Sequence, residues 1–178
     1  MIDLETTSLE ASEGKIVEIG MVELDTDTGE IHTLINALVK EEGFRLADQF
    51  AWIFAKSTLL FDDIKNAPPL ELTRPALQAN LNFYPTTAFN KKFDFGYLYF
   101  RRFAIPNQLP CIMETVTPIM KLPHWKYKYK YPSMEEAWKY FMKTPYTEVH
   151  RACDDATHEA QLLNHLIQTH QYPLRDSL

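Results

Sequence analysis

Two apolar runs flank an acidic turn near the start of the chain: Ile16-Val-Glu-Ile-Gly-Met-Val-Glu-Leu24 and Ile31 to Val39, separated by Asp25-Thr-Asp-Thr-Gly29. Runs rich in Ile and Val and bounded by Asp and Gly read as paired strands, so a hairpin is committed early. Ahead of it lies Ile2-Asp-Leu-Glu5. In a strand, residues i and i+2 share a face, so Asp3 and Glu5 aim together while Ile2 and Leu4 turn to the core. The far end follows a different period. Ala152, Ala156, Ala160, Leu163 and Ile167 recur at helical spacing and give one apolar face to a helix ending near Thr169.

Between these ends the pattern predicts an alternation of helices and short strands. Glu41 to Leu81 has helical spacing broken at Asn66-Ala-Pro-Pro69, and Phe93 to Phe103 carries aromatics at helical intervals. Tyr84 to Phe89 and Cys111-Ile-Met-Glu-Thr115 read as short strands, with Pro106 and Pro110 bounding the loop between them. Ser133-Met-Glu-Glu136 is a capping box that starts a helix running to about Met142. Neither a repeat nor a flexible linker interrupts the 178 residues, so one α/β domain over 1–178 is the economical reading.

Composition narrows the function classes. With 46% hydrophobic and 24% charged residues the chain is of the globular type. A net charge of −6 argues against a protein that simply coats nucleic acid, because such binding rests on neutralising phosphates with Lys and Arg. The basic residues are uneven, however, with six lysines against two acids between Lys121 and Lys143. Cys111 and Cys153 fit no metal or redox spacing and read as thiols of a reducing compartment. With no apolar run long enough for a membrane and no signal peptide, a cytoplasmic location is expected.

Asp-x-Glu alone says little, since Asp25-Thr-Asp27 is a similar pair that reads as a turn. Two further signals give it meaning. Asn90 and Asp94 stand four apart at a strand-to-helix junction, and His150 stands five before Asp155 at the start of the last helix; no other Asn or His has Asp at those offsets. Strand ends and helix starts are where rigid scaffolds hold short functional side chains.

Asp3-x-Glu5-Thr6-Thr7, Asn90-x-x-x-Asp94 and His150-x-x-x-x-Asp155 together resemble, in order and separation, the three motifs of the DEDDh (DnaQ-like) 3′-5′ exonucleases. Ile16-Val-Glu-Ile-Gly20 is similar to that family's second strand, so the resemblance covers most of the chain. It implies a ribonuclease H-like fold: a mixed five-stranded sheet with helices on both faces. It further implies that Asp3, Glu5, Asp94 and Asp155 hold two divalent cations, Mg²⁺ or Mn²⁺. Four converging carboxylates repel one another unless cations neutralise them, and a metal pair roughly 3.5–4 Å apart suits in-line displacement at a phosphodiester. His150 becomes the general base, although a lone His at a helix start also reads as a surface or capping residue.

Asp154 is the rival of Asp155 in that motif. Thr6 and Asn90 are expected near the terminal nucleotide, Asn90 more as a loop-orienting residue than as a ligand, while Glu114 and Thr115 read as structural or supporting. Trp125-Lys-Tyr-Lys-Tyr-Lys-Tyr131 interleaves rings with Lys126, Lys128 and Lys130, which suits either a single-strand-binding surface or a β-like segment with one packed face. Only Met1 and Ile2 precede Asp3, where the family carries more apolar residues, so either the strand extends past Glu5 or the natural start lies upstream.

The expected function is a 3′-5′ exonuclease acting on single-stranded DNA or RNA 3′ ends or short oligonucleotides. The rival readings are a nucleic-acid-binding or assembly module of the same fold and a phosphohydrolase of small nucleotides. Homodimer or polymerase-complex association stays open.

Overall fold

The computed structural model describes residues 1–174. Its sheet is antiparallel in the order β1 (Ile2–Thr6), β2 (Ile16–Leu24), β3 (Ile31–Leu38), with β2 in the middle. The β2–β3 turn forms as its residues dictate. The Asp25 carboxylate accepts the N–H groups of Asp27 and Thr28, and Gly29 takes φ 79°, which costs glycine nothing. Register sets Asp3 opposite Gly20 and Glu5 opposite Glu18, with a bulge between Glu5 and Thr6 where β1 leaves the ladder.

Strand alternation splits the core across the sheet. Ile2, Leu4, Ile19 and Met21 pack with residues of α3 (Leu70–Phe83) and α4 (Lys91–Phe100), among them Leu77, Leu81, Phe95 and Leu98. Val22 packs in a second cluster with α5 (Ile112–Met120), α6 (Met134–Met142) and α7 (Ala152–Gln168). Helices therefore cover both faces, as expected. Two short helices, α1 (Trp52–Lys56) and α2 (Phe61–Asn66), follow β3 and bury Ile53 and Ile64 with Val17. The break at the prolines falls where the sequence puts it, with α3 starting directly after Pro69.

Among the described residues the sheet has three strands rather than the expected five. Residues 84–89 do run beside β1, where Ile2 N–H donates to the Thr87 carbonyl at 3.1 Å, and Thr86 bridges to Gln108. Pro85 offers no donor, and the Thr86 and Thr87 hydroxyls donate to the carbonyls of Tyr84 and Pro110, so side chains take acceptors that a ladder would use. The second expected strand, Cys111 to Thr115, opens α5 instead. Ile112, Val116 and Met120 are buried at i, i+4 and i+8, a helical stripe that a five-residue window cuts short. The capping box forms as read, Ser133 Oγ accepting Glu136 N–H and Glu136 accepting Ser133 N–H.

The start of α7 is seated on β2 at very close range. A Cβ placed on Gly20 would lie 2.1 Å from the Ala152 carbonyl oxygen, so only glycine permits this approach. Beside it Glu18, buried in the sheet, accepts Ala152 N–H at 3.0 Å and the Arg151 guanidinium at 2.8 Å. Arg101 secures the β1–β2 loop in a similar way. It pairs with the half-buried Glu41 carboxylate and donates to the Ala11 and Gly14 carbonyls at 3.1 and 2.7 Å.

Candidate active site

The two acids of β1 point away from Ile2 and Leu4, toward the start of α7 and the entry to α4. There they meet a cleft of about 270 Å³ lined by Asp3, Glu5, Asp94, Glu148, His150 and Glu159, with Leu9, Trp52, Phe89 and Phe93 as apolar walls. Among the described residues the cleft lining contains no Lys or Arg. Asp94 is placed by the first turn of α4, Asp155 by the first turn of α7, and His150 by the residue pair before that helix. His150 adopts φ 54°, an uncommon conformation for a side chain larger than Asn, and Trp52 meets its ring edge-on at 5.1 Å.

Donor atoms of Glu5, His150 and Asp155 lie within 4.8 Å of one another. Asp155 is buried and oriented by two bonds: Tyr146 O–H donates to Oδ1 at 2.9 Å and Arg151 N–H to Oδ2 at 3.0 Å. Asp154 is exposed on the other side of the helix turn. The geometry thus brings Asp155 and not its neighbour into the cluster.

Crowding and burial raise every carboxyl of the group. Burial pushes Glu5 up to about 9, with the charges of Asp155 and Glu18 adding to it, and pushes Asp94 up to about 8. Asp3 is raised well above the usual range by burial and then by Glu159, and Asp155 is raised by burial against the bond from Tyr146. Glu148 rises to about 7 for want of solvent and for its nearness to Asp155. Without a counter-charge, protons must occupy this site near neutrality.

The donor set fits divalent cations. Asp94 Oδ1 is buried with no hydrogen-bond partner among the described residues, in a residue 2% exposed, a costly state that an oxygen-seeking cation would relieve. Hard oxygen donors with one imidazole nearby suit Mg²⁺ or Mn²⁺.

The other expected residues are placed less uniformly. Thr6 lines the cleft, but its hydroxyl donates inward to the Ser8 carbonyl at 2.8 Å, leaving its backbone at the site. Asn90 sits exposed on the lip as the N-cap of α4, its side chain making no cap bond. Lys126, Lys128 and Lys130 do not line the cleft. The segment forms bends rather than a β-like strand, and Lys128 and Lys130 line a separate groove with His124, Tyr127 and Tyr131. Lys130 pairs with Glu136 at 2.6 Å, and Lys126 and Lys128 lie over the rings of Tyr127 and Tyr129. Glu114 stands exposed on α5 rather than after a strand.

Sequence reasoning missed Glu148, Glu159, Tyr146 and Trp52. Glu159 had a readable signal: it follows Asp155 by four residues and so shares its helix face. The others come from loops and a short helix whose approach to the cleft has no local signature.

The family model for exonucleases of the RNase T type matches residues 1–163. No curated protein matches the chain. Among solved structures, a 3′-exonuclease described in 3′-end-specific recognition of a histone mRNA stem-loop is 16% identical, with a TM-score of 0.69 over 94% of this chain and 80% of that one. The nuclease domain of 3′hExo, a DEDDh family member bound to rAMP, is 17% identical with a TM-score of 0.68 over 94% and 90%. Cell-death related nuclease 4 is 14% identical at 0.65, and this chain spans 62% of its length. The likeness shows a shared α/β exonuclease fold. The chain belongs to the exonuclease family that this model describes.

Proposed function

We propose that the protein hydrolyses phosphodiester bonds at the 3′ ends of single-stranded DNA or RNA, or of short oligonucleotides, as one exonuclease domain over residues 1–178. The observation that carries this reading is the buried carboxylate group around Asp94 Oδ1, in a cleft lined by His150 and, among the described residues, by no Lys or Arg. Two divalent cations, Mg²⁺ or Mn²⁺, held by Asp3, Glu5, Asp94 and Asp155, would supply charge neutralisation and Lewis acidity at the scissile phosphate.

The chain's own groups do the rest. His150 accepts the proton of the attacking water, the water oxygen bonds to phosphorus, and the bond from phosphorus to the 3′ oxygen of the penultimate nucleotide breaks. That oxygen leaves and takes up a proton, giving a 5′-mononucleotide and a chain one residue shorter. Trp52 keeps the His150 ring in place by edge contact, while Leu9, Trp52 and Phe93 offer apolar surface to the terminal base. Asn90 and the Thr6 backbone stand where they can contact the terminal nucleotide. Lys126 and Lys128, outside the cleft, would meet phosphates further along the strand, with Lys130 shared with Glu136.

All five principal residues come from one chain, so the chemistry requires neither a homodimer nor a polymerase partner. The free thiols Cys111 and Cys153 suit a reducing compartment such as the cytoplasm, and no helix among the described residues is long and apolar enough to cross a membrane.

The test is digestion of 5′-labelled single-stranded DNA and RNA with Mg²⁺ or Mn²⁺, beside His150→Ala and Asp155→Ala proteins. A ladder shortened from the 3′ end, lost with EDTA and in both variants, supports the reading. Undiminished cleavage by the variants refutes the site. Binding of oligonucleotides without cleavage favours an assembly module instead.

A further inference from the structure

Helix α7 buries a carboxylate that the family's motifs do not contain. Glu159 is 4% exposed, lies one turn beyond Asp155 on the same face, and lines the same cleft as Asp3 and Asp94. Its Oε2 accepts Phe89 N–H at 3.2 Å, which fixes the carboxyl beside the entry to α4 and leaves its second oxygen for other use. Holding one N–H needs no charge, since a glutamine would do so without the cost of burying a carboxylate. A buried acid usually comes with Lys or Arg, yet among the described residues the cleft lining supplies neither, and the cation beside Glu159, the Met1 amino group, is itself lowered by burial to about 6.

One other observation ties Glu159 to the group that would hold cations. Asp94 Oδ1, on the same cleft, is buried without a hydrogen-bond partner among the described residues. The bond from Phe89 N–H holds Glu159 at the entry to α4, the helix whose first turn carries Asp94, whereas Glu5, His150 and Asp155 converge within 4.8 Å of one another.

Resting on the cation site proposed above, we propose that Glu159 is a fifth carboxylate ligand of the divalent centre, on the side of Asp3 and Asp94. It adds negative charge to that half of the site, so cations bind there more tightly and the cation-free protein is correspondingly more strained by repulsion. The residue acts on the metal and has no contact with the leaving nucleotide.

Mn²⁺ titration by calorimetry tests this without reference to turnover. The Glu159→Gln protein keeps an acceptor for Phe89 N–H, and its Mn²⁺ affinity at one site is expected to fall about tenfold or more. Equal affinity for Mn²⁺ in Glu159→Gln and wild type overturns the proposal while leaving the four-carboxylate site standing. Wild-type protein that takes up no Mn²⁺ overturns both. Should the variant misfold, Mn²⁺-soaked crystals of the wild type decide: a Glu159 oxygen within roughly 2.0–2.6 Å of an ion supports the assignment, and its absence from the coordination shell refutes it.

Discussion

The acids of the cleft should reverse the usual pH dependence of stability in the cation-free protein. Glu5 and Asp94 titrate at about 9 and about 8 in the folded chain, against 4.5 and 3.8 when unfolded. Between pH 5 and 6 both are ionised in the unfolded chain and protonated in the folded one. The folded state then binds more protons, so stability falls as pH rises, opposite to a carboxylate held low by a cationic partner. Two full protons correspond to about 2.7 kcal/mol per pH unit, and a single proton shared by the cluster to about 1.4 kcal/mol. For a chain of this length that lower figure lowers Tm by roughly 3–6 °C over the unit.

The window is chosen for its neighbours. The Met1 amino group, lowered by burial to about 6, acts in the other sense and is half deprotonated by pH 6, Glu148, raised to about 7, adds to the slope, and Asp25, Glu71 and Glu136 are held low and titrate below the window. Differential scanning fluorimetry in EDTA at pH 5.0, 5.5 and 6.0 reads the slope. Saturating Mn²⁺ should flatten it, because cations take the place of protons, and Glu5→Gln with Asp94→Asn should lessen it without metal, the remaining raised carboxyls keeping its sign. A Tm in EDTA that is level or rises from pH 5 to 6 refutes the account of the cleft as an uncompensated carboxylate cluster.

Gly20→Ala forces a methyl group into the Ala152 backbone and should cost about 3 kcal/mol or more, with weaker Mn²⁺ binding as α7 is displaced; urea denaturation and calorimetry check both. Arg151→Ala leaves Glu18 buried and unpaired, and chemical denaturation should show a loss of about 3 kcal/mol. Asp154→Asn should leave the rate within about twofold of wild type, whereas Asp155→Asn should lower kcat by roughly 10²-fold or more in a 3′-end digestion assay. Trp52→Ala removes a cleft wall and the His150 edge contact, so steady-state kinetics should show a raised KM together with a lowered kcat.

The elements that rest on local pattern were legible in the sequence. The hairpin, the capping box at Ser133 and the face of α7 each carry their signal within a dozen residues or so, where period and turn chemistry act. The three motifs were legible as a set through their resemblance to the exonuclease family, and spacing on a strand or helix added which of their side chains can share a face. Residues 84–89 and 111–115 were misread because their apolar content suits either state, and the choice fell to hydrogen bonds from Thr86, Thr87 and the longer stripe of α5.

By itself the sequence determined that Asp3 and Glu5 share one strand face and that His150 and Asp155 open the last helix. Tertiary structure alone decided that Trp52 stands edge-on to His150, that Glu148 lines the cleft, and that the lysines of 126–130 stay outside it, while it brings together Asp155, which the family spacing already favoured over Asp154, with Glu5 and His150. The reason is one of range. Periodicity gives a side chain its direction within an element, whereas convergence depends on how elements are seated on one another, here by Gly20 against Ala152 and by Glu18 holding Arg151.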